Sequence, residues 1–354
     1  MTGNEQDYVW DCLKQIRNQI TVGPYVARFE KAFAEFIGTK HAVATMNGTV
    51  ALHLILKALR VGPGDEVIVP NLTYVATANA VTYCGATPVF VDVDETWCMD
   101  PGKVRRAVTG RTRVILPVHL YGQPANMDEL ERIALENRIL VVEDAAESFG
   151  ATYHGKKTGS LGVAGTFSFF GNKTITTGEG GMITTDNDEF DREMRILRGQ
   201  GVDPERRYWH TVIGFNYRMT DLQAAIGLAQ LEQADFHIGK RRGVFKAYWD
   251  NLVGVREIEF QPCLPNTEHG YWMVVVTFPS GFDRDHIAKR MLDCGVETRP
   301  VFPPMVDLPM YHSEVLYPMS KFISQQGLCL PTHANLTRKD IDLVCGYLRA
   351  IVRE

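Results

Sequence analysis

The sequence has no lysine- and arginine-rich run, no acidic tail and no CxxC pair. A formal net charge of −5 without basic clustering excludes a surface built on phosphate-backbone contacts, so no nucleic acid partner is expected. The seven cysteines, Cys12, Cys84, Cys98, Cys263, Cys294, Cys329 and Cys345, are scattered and odd in number. That pattern fits neither a disulfide framework nor a zinc site, and it suits reduced thiols in the cytoplasm and no bound metal. A basic segment followed by an apolar one is also missing: MTGNEQDYVWDCLKQ is acidic and amphipathic, unlike a secretory signal. The longest uncharged stretch, Val67 to Val91, is interrupted by Pro70, Asn71, Asn79, Gly85 and Pro88. It reads as strand, turn, helix and strand, so no membrane partner is expected.

What is present is the alternation of an α/β protein. Apolar β-branched runs (HAVATM, DEVIVP, PVFVDVD, RVILPVHL, ILVVEDAA) alternate with helical stretches such as ALHLILKAL and ATANAVTY. This predicts a mostly parallel sheet covered on both faces, with ligands at the C-terminal ends of its strands. A long helical region is expected over roughly 221–252. Short strands such as YWMVVVTF and helices such as DRDHIAKRMLDC then make a smaller α+β unit. With 354 residues, the division expected is a large α/β domain over 1–250, including an N-terminal helical segment, and a small C-terminal domain over 251–354.

The chemistry-bearing residues fall at the strand ends. VVEDAAES closes a buried strand with Asp144, which alone is equally a helix N-cap. FSFFGNKTITTGEGG carries Lys173 in an apolar, glycine-bounded setting, where a lysine either snorkels to the surface or serves as a poorly solvated amine able to form a Schiff base. Together, a carboxylate to keep a pyridine nitrogen protonated and such a lysine are what pyridoxal 5'-phosphate (PLP) needs. A phosphate cradle is available in TMNGTVALHL, where Gly48 and Thr49 open a helix, although Asn-Gly-Thr is also a plain turn. Ser168 adds a hydroxyl, and Tyr74 is placed to lie on the cofactor ring or to pack in the core.

The GTVAL helix start, the EDAAES acid, SFFGNKTITTGEGGM and GFNYRMTDLQAAIGLAQLE, in that order, resemble the DegT/DnrJ/EryC1/StrS sugar aminotransferases over nearly the whole chain. The resemblance implies the aspartate-aminotransferase-like architecture, PLP fold type I. It also implies Lys173 as the cofactor lysine, Asp144 at the pyridine nitrogen, Gly48, Thr49 and Ser168 at the phosphate, and Tyr74 on the ring. Glu147 falls near the cofactor's hydroxyl, and Asn216 would reach the phosphate of a neighbouring subunit, making the active site that of a homodimer. FSFFGNKTITTGEGG, RYWHTVIGFNYRM, YWMVV and ETRPVFPPM are most similar to members that take GDP-4-keto-6-deoxy-D-mannose as substrate and L-glutamate as donor, releasing 2-oxoglutarate.

Candidates for contact with the nucleotide sugar are His119, Tyr121, Glu179, Arg299, Phe302 and Tyr311. His119 also reads as a structural histidine, and Arg299 as half of a surface ion pair. Alternatives left open are a dTDP- or UDP-linked sugar, a 3-keto substrate, and a catalytically idle PLP-binding regulator. Dehydration is the remaining one, and it is disfavoured because dehydrating members carry histidine where this chain has Lys173.

Overall fold

The computed structural model describes residues 3–14 and 20–354; Met1, Thr2 and Gln15 of the N-terminal stretch lie outside them. Two helices come first, α1 (Glu5–Lys14) and α2 (Pro24–Ile37). Pro24 stands at the start of α2, where a missing N–H costs nothing, and left-handed Gly38 closes it by donating to the Ala34 carbonyl. The alternation then runs β1 (His41–Thr45), α3 (Gly48–Ala58), β2 (Glu66–Pro70), α4 (Ala76–Tyr83), β3 (Thr87–Val91), α5 (Pro101–Ala107), β4 (Thr112–Ile115), α6 (Met127–Asn137) and β5 (Leu140–Asp144). Two short strands follow, β6 (Thr152–Tyr153) and β7 (Lys156–Lys157), then β8 (Ala164–Ser168), β9 (Gly181–Thr185) and α7 (Asp188–Arg198).

The central sheet has the order β1-β9-β8-β5-β4-β2-β3. β2 pairs in parallel with β3 and β4, β4 with β5 and β5 with β8, while β9 is antiparallel to both β1 and β8. Six strands therefore end on one edge of the sheet, and only β9 begins there. Every residue of β2 is buried, as strands covered on both faces require. On one face lies α3, with Leu52, Leu54, Ile55 and Leu56 all but inaccessible. At about 1.5–3 kcal/mol for each such side chain, this burial holds the start of α3 firmly at the sheet edge.

The helical region over 221–252 is two helices, α8 (Asp221–Glu232) and α9 (Ala234–Leu252), not one. Gln233 breaks the run at φ −110°, ψ 22°. No glycine or proline dictates the break. The two ends bury toward different cores: Leu228, Leu231, Ala234 and Ile238 join the cluster under α2, whereas Val244, Ala247, Tyr248 and Leu252 join a second cluster. Thr220 starts α8 with a reciprocal capping box to Gln223.

The second cluster belongs to the elements that follow: β10 (Glu259–Phe260), β11 (Thr267–Glu268), β12 (Val274–Thr277), α10 (Arg284–Asp293), β13 (Arg299–Pro300), α11 (Pro318–Gln326), β14 (Gly327–Leu330) and α12 (Arg338–Ile351). Here the sheet is antiparallel, in the order β10-β12-β14-β13, and β11 instead extends β6 and β7. No helix among the described residues is long and apolar enough to cross a membrane.

Candidate active site

The strand ends converge on a cavity of about 460 Å³, within the usual range for small-molecule sites. One corner is made by the start of α3. Asn47 caps this helix, its side chain accepting from the Val50 N–H at 3.0 Å, so the Gly48 and Thr49 amides at the first two positions have no carbonyl within the helix and sit at the positive end of its dipole. Gly181, the first residue of β9, permits the close approach: a Cβ there would lie 2.6 Å from the Asn47 carbonyl group and 2.8 Å from Gly48 N. Ser168, the last residue of β8, pairs with Gly181 in the sheet, and its Cβ would lie 3.0 Å from a Cβ on Gly48. Two free amides and a hydroxyl thus share a corner suited to a phosphate.

Asp144 is the last residue of β5 and is buried. Turns rather than a helix follow it, so the N-cap alternative does not apply. Its Oδ2 accepts from the Thr77 hydroxyl at 2.8 Å and its Oδ1 from the Ala146 N–H at 3.2 Å, while Thr77 is itself 3.0 Å from the Thr73 hydroxyl. Burial pushes the Asp144 carboxyl above its usual range, against those hydrogen bonds and the charge of Lys173. A cationic ring N–H would remove that penalty.

After β8 the chain buries Phe169 against Phe33 and turns, Lys173 N–H donating to the Phe170 carbonyl at 2.9 Å. The Lys173 side chain then enters the cavity, with Nζ 3.6 Å from the centroid of the Trp272 ring. Burial holds the amine below the ordinary lysine range; Glu147 and Asp144 oppose that shift and Arg241 adds to it. Glu147 is buried beside them and is pushed up to about 7 by burial, against the pull of Lys173 and a 2.8 Å hydrogen bond from the Tyr121 amide. Tyr121 presents that amide from a left-handed backbone (φ 57°), a conformation costing about 1–2 kcal/mol for such a residue, and its ring is stacked between Trp272 and Phe302.

The structure brings Gly48, Thr49, Tyr74, Asp144, Glu147, Ser168 and Lys173 to this one cavity, together with Tyr121, Glu179, Arg299 and Phe302. Tyr74 is exposed and its ring tilts against Phe302 at 5.6 Å. The main-chain carbonyl of Glu179 accepts from the Thr177 hydroxyl and the Gln223 amide, which shapes the glycine turn and leaves its carboxylate at the opening. Arg299 is exposed, and among the described residues no carboxylate lies within ion-pair distance of it.

His119, Tyr311 and Asn216 are not in this cavity. As a contact to the sugar, His119 is corrected: it is completely buried, its Nδ1 accepting from the Ala125 N–H at 3.0 Å and its Nε2 facing Glu143 at 3.0 Å, so both ring nitrogens are used within the fold. Tyr311 lies outside the cavity lining: its hydroxyl is engaged by Asn79 at 2.7 Å and Thr82 at 2.9 Å, and its ring packs on Phe90. Asn216 is exposed, two residues before the Arg218 that bridges to Thr45, and its side-chain oxygen accepts from the Arg218 guanidinium.

Sequence reasoning missed Thr77 and Trp272. Thr77 lies in ATANA, which shows only a helix start, and Trp272 lies in a segment legible as a core strand. Nothing local says that the first meets Asp144 or that the second meets Lys173.

The donor set fits PLP: a carboxylate for the ring nitrogen, an amine for the aldehyde carbon, an aromatic face and an amide corner for the phosphate. The family model described as the DegT/DnrJ/EryC1/StrS aminotransferase family matches residues 1–349. GDP-perosamine synthase of Caulobacter vibrioides is 51% identical over 358 aligned residues, covering 99% of this chain and 96% of that protein. Among solved structures, DesV of S. venezuelae superposes with a TM-score of 0.94 at 33% identity, covering 99% of this chain and 95% of that one. Spr1654 of Streptococcus pneumoniae in its PLP form gives 0.94 at 28% identity, covering 99% and 96%.

Proposed function

The chain belongs to the DegT/DnrJ/EryC1/StrS aminotransferase family, and from that membership we propose that it moves the amino group of L-glutamate to C4 of GDP-4-keto-6-deoxy-D-mannose, giving GDP-perosamine and 2-oxoglutarate. It is a PLP-dependent enzyme. Bound PLP supplies an electron-withdrawing ring that stabilises negative charge at the carbon that loses its proton. Lys173 Nζ would hold the cofactor's aldehyde carbon at rest. Once freed, it takes the proton from Cα of glutamate, and in the return half-reaction it delivers one to C4 of the sugar. A lysine amine held below its ordinary range carries its own proton less tightly than an exposed lysine does, which favours the free base that this transfer needs.

Asp144 holds the ring nitrogen in its protonated form, with Thr77 fixing the carboxylate. The Gly48 and Thr49 amides and the Ser168 hydroxyl would hold the phosphate, with Tyr74 available to cover the ring and Glu147 to meet its hydroxyl. Arg299 at the opening offers a bidentate cation to the diphosphate of the nucleotide sugar or to the carboxylate of glutamate, with Tyr121, Phe302 and Glu179 around it.

The same reading makes the enzyme a cytoplasmic homodimer in which Asn216 reaches the neighbour's phosphate corner. Support comes from large apolar side chains exposed near Asn216, Tyr208 at 78% and Ile213 at 94%, and from seven free thiols.

One observation carries the chemistry: the Lys173 amine and the Asp144 carboxylate open into the same cavity as the amide cradle. The test is to supply the purified enzyme with glutamate and a panel of GDP-, dTDP- and UDP-linked keto-sugars. One 2-oxoglutarate per GDP-amino sugar is expected; turnover only of another sugar would move the substrate assignment, and sugar turnover that consumes no glutamate would overturn transamination.

A further inference from the structure

Arg241 lies on α9 between Ile238, which packs in the first core, and Val244, which packs in the second. It is 6% exposed, yet among the described residues no carboxylate lies within ion-pair distance of it, and burial is the one influence on its charge. A buried guanidinium is tolerated only when its donors are used. Here every partner is a main-chain carbonyl: Trp272 O at 3.0 Å, Thr332 O, Asn172 O at 3.2 Å and Lys173 O at 3.5 Å. The Trp272 indole N–H also donates to Asn172 O, at 3.1 Å. One side chain therefore ties together the loop that carries Lys173, the residue whose ring lies under the Lys173 amine and the loop after β14.

We propose that Arg241 is a positioning residue for Lys173, its planar fork fixing the lysine loop against Trp272 and its uncompensated positive charge acting on the amine. This rests on Lys173 being the cofactor lysine. The geometry explains why the residue is arginine: a carboxylate partner would cancel the charge, and a lysine has no rigid fork with which to reach three separate segments.

The charged groups acting on Lys173 are Asp144 at the end of β5, Glu147 in the following turn and Arg241 on α9. Tyr121 and Cys329, which also line the cavity, are held in their neutral forms by burial. With both carboxylates attracting a proton to the amine, Arg241 is the group that opposes them, in the same direction as burial.

The test is a pH titration of the visible absorbance of the PLP-loaded enzyme, with kcat and KM measured alongside. Arg241→Met removes the charge, and the titration midpoint of the visible band should rise by about one unit. Arg241→Lys keeps a charge but not the fork; its midpoint should stay near that of the wild type while kcat falls about tenfold at unchanged KM, because the amine is misplaced. A folded, PLP-loaded Met variant with an unmoved midpoint, or a Lys variant with wild-type kcat, overturns the proposal. A Lys173→Ala variant that borohydride still links covalently to PLP would instead overturn the assignment of Lys173, so the two failures are distinguishable.

Discussion

The amine of Lys173 rests 3.6 Å from the centroid of the Trp272 ring, and the same indole donates through its N–H to Asn172, the residue before the lysine. Trp272 therefore supports Lys173 twice, by its face and by its edge. Trp272→Leu removes both and is expected to destabilise the cofactor-free protein by about 3 kcal/mol, whereas Trp272→Phe keeps a ring and should lose about 1 kcal/mol with the hydrogen bond. Denaturant unfolding measures both. Equal losses would assign the support to the hydrogen bond and leave the ring face without a role.

Asp144→Asn tests the charge while keeping the stronger of its two hydrogen bonds, because the amide oxygen can still accept from Thr77 while the longer one from the Ala146 N–H is lost. Removing one preorganised charged group of this kind is expected to lower kcat by about 10²–10³-fold. Burial penalises the ionised carboxyl more than its hydrogen bonds favour it, so the relief of that charge should offset the lost Ala146 bond and leave the cofactor-free variant within about 1 kcal/mol of the wild type at pH 8. Thermal unfolding and steady-state kinetics on the same preparation check the two halves.

Glu147 gives a pH dependence of definite sign. Its folded value is pushed up to about 7, above the ordinary 4.5, so between these values the folded protein holds more of its proton than the unfolded chain does. That contribution is fully present below 4.5 and is lost as pH rises through 7. Glu147→Gln removes the cost, and the cofactor-free variant should gain up to roughly 3 kcal/mol relative to wild type at pH 8, the gain shrinking toward pH 5. Thermal midpoints at the two pH values measure it. A gain of equal size at both would show that Glu147 does not titrate in this range.

Much of this arrangement was legible in the sequence because it is carried by local signals. The strand that ends in Asp144, the helix that starts at Gly48 and the glycine turn after Lys173 each announce themselves within a few residues. What could not be read depends on contacts distant in the chain. His119 stands at a strand end like a ligand contact, but Glu143, Gly159, Leu161 and Gly162 form a buried network around it that only the folded sheet assembles. Nothing local to Arg241 says that it is buried. Its burial follows from the turn at Gln233 that points α9 toward a second core.

Gly181 offers the last test, because its role is steric and lies outside the chemistry. β9 is held on both sides, by β1 and β8, so a methyl group at Gly181 cannot be relieved by moving the strand. The atoms it would strike are backbone atoms of Asn47 and Gly48, and relief must come from displacing the amides that form the phosphate corner. Gly181→Ala is therefore expected to weaken PLP binding about tenfold or more, the equivalent of one charge-assisted hydrogen bond of about 1.5 kcal/mol, read by absorbance titration of the cofactor-free protein. Gly178→Ala separates crowding from strain. Gly178 has φ +83° with open space around its missing Cβ, so alanine there should cost about 1 kcal/mol of stability and leave PLP affinity unchanged. If the two variants lost affinity equally, the phosphate corner would not depend on the close approach of β9 to α3.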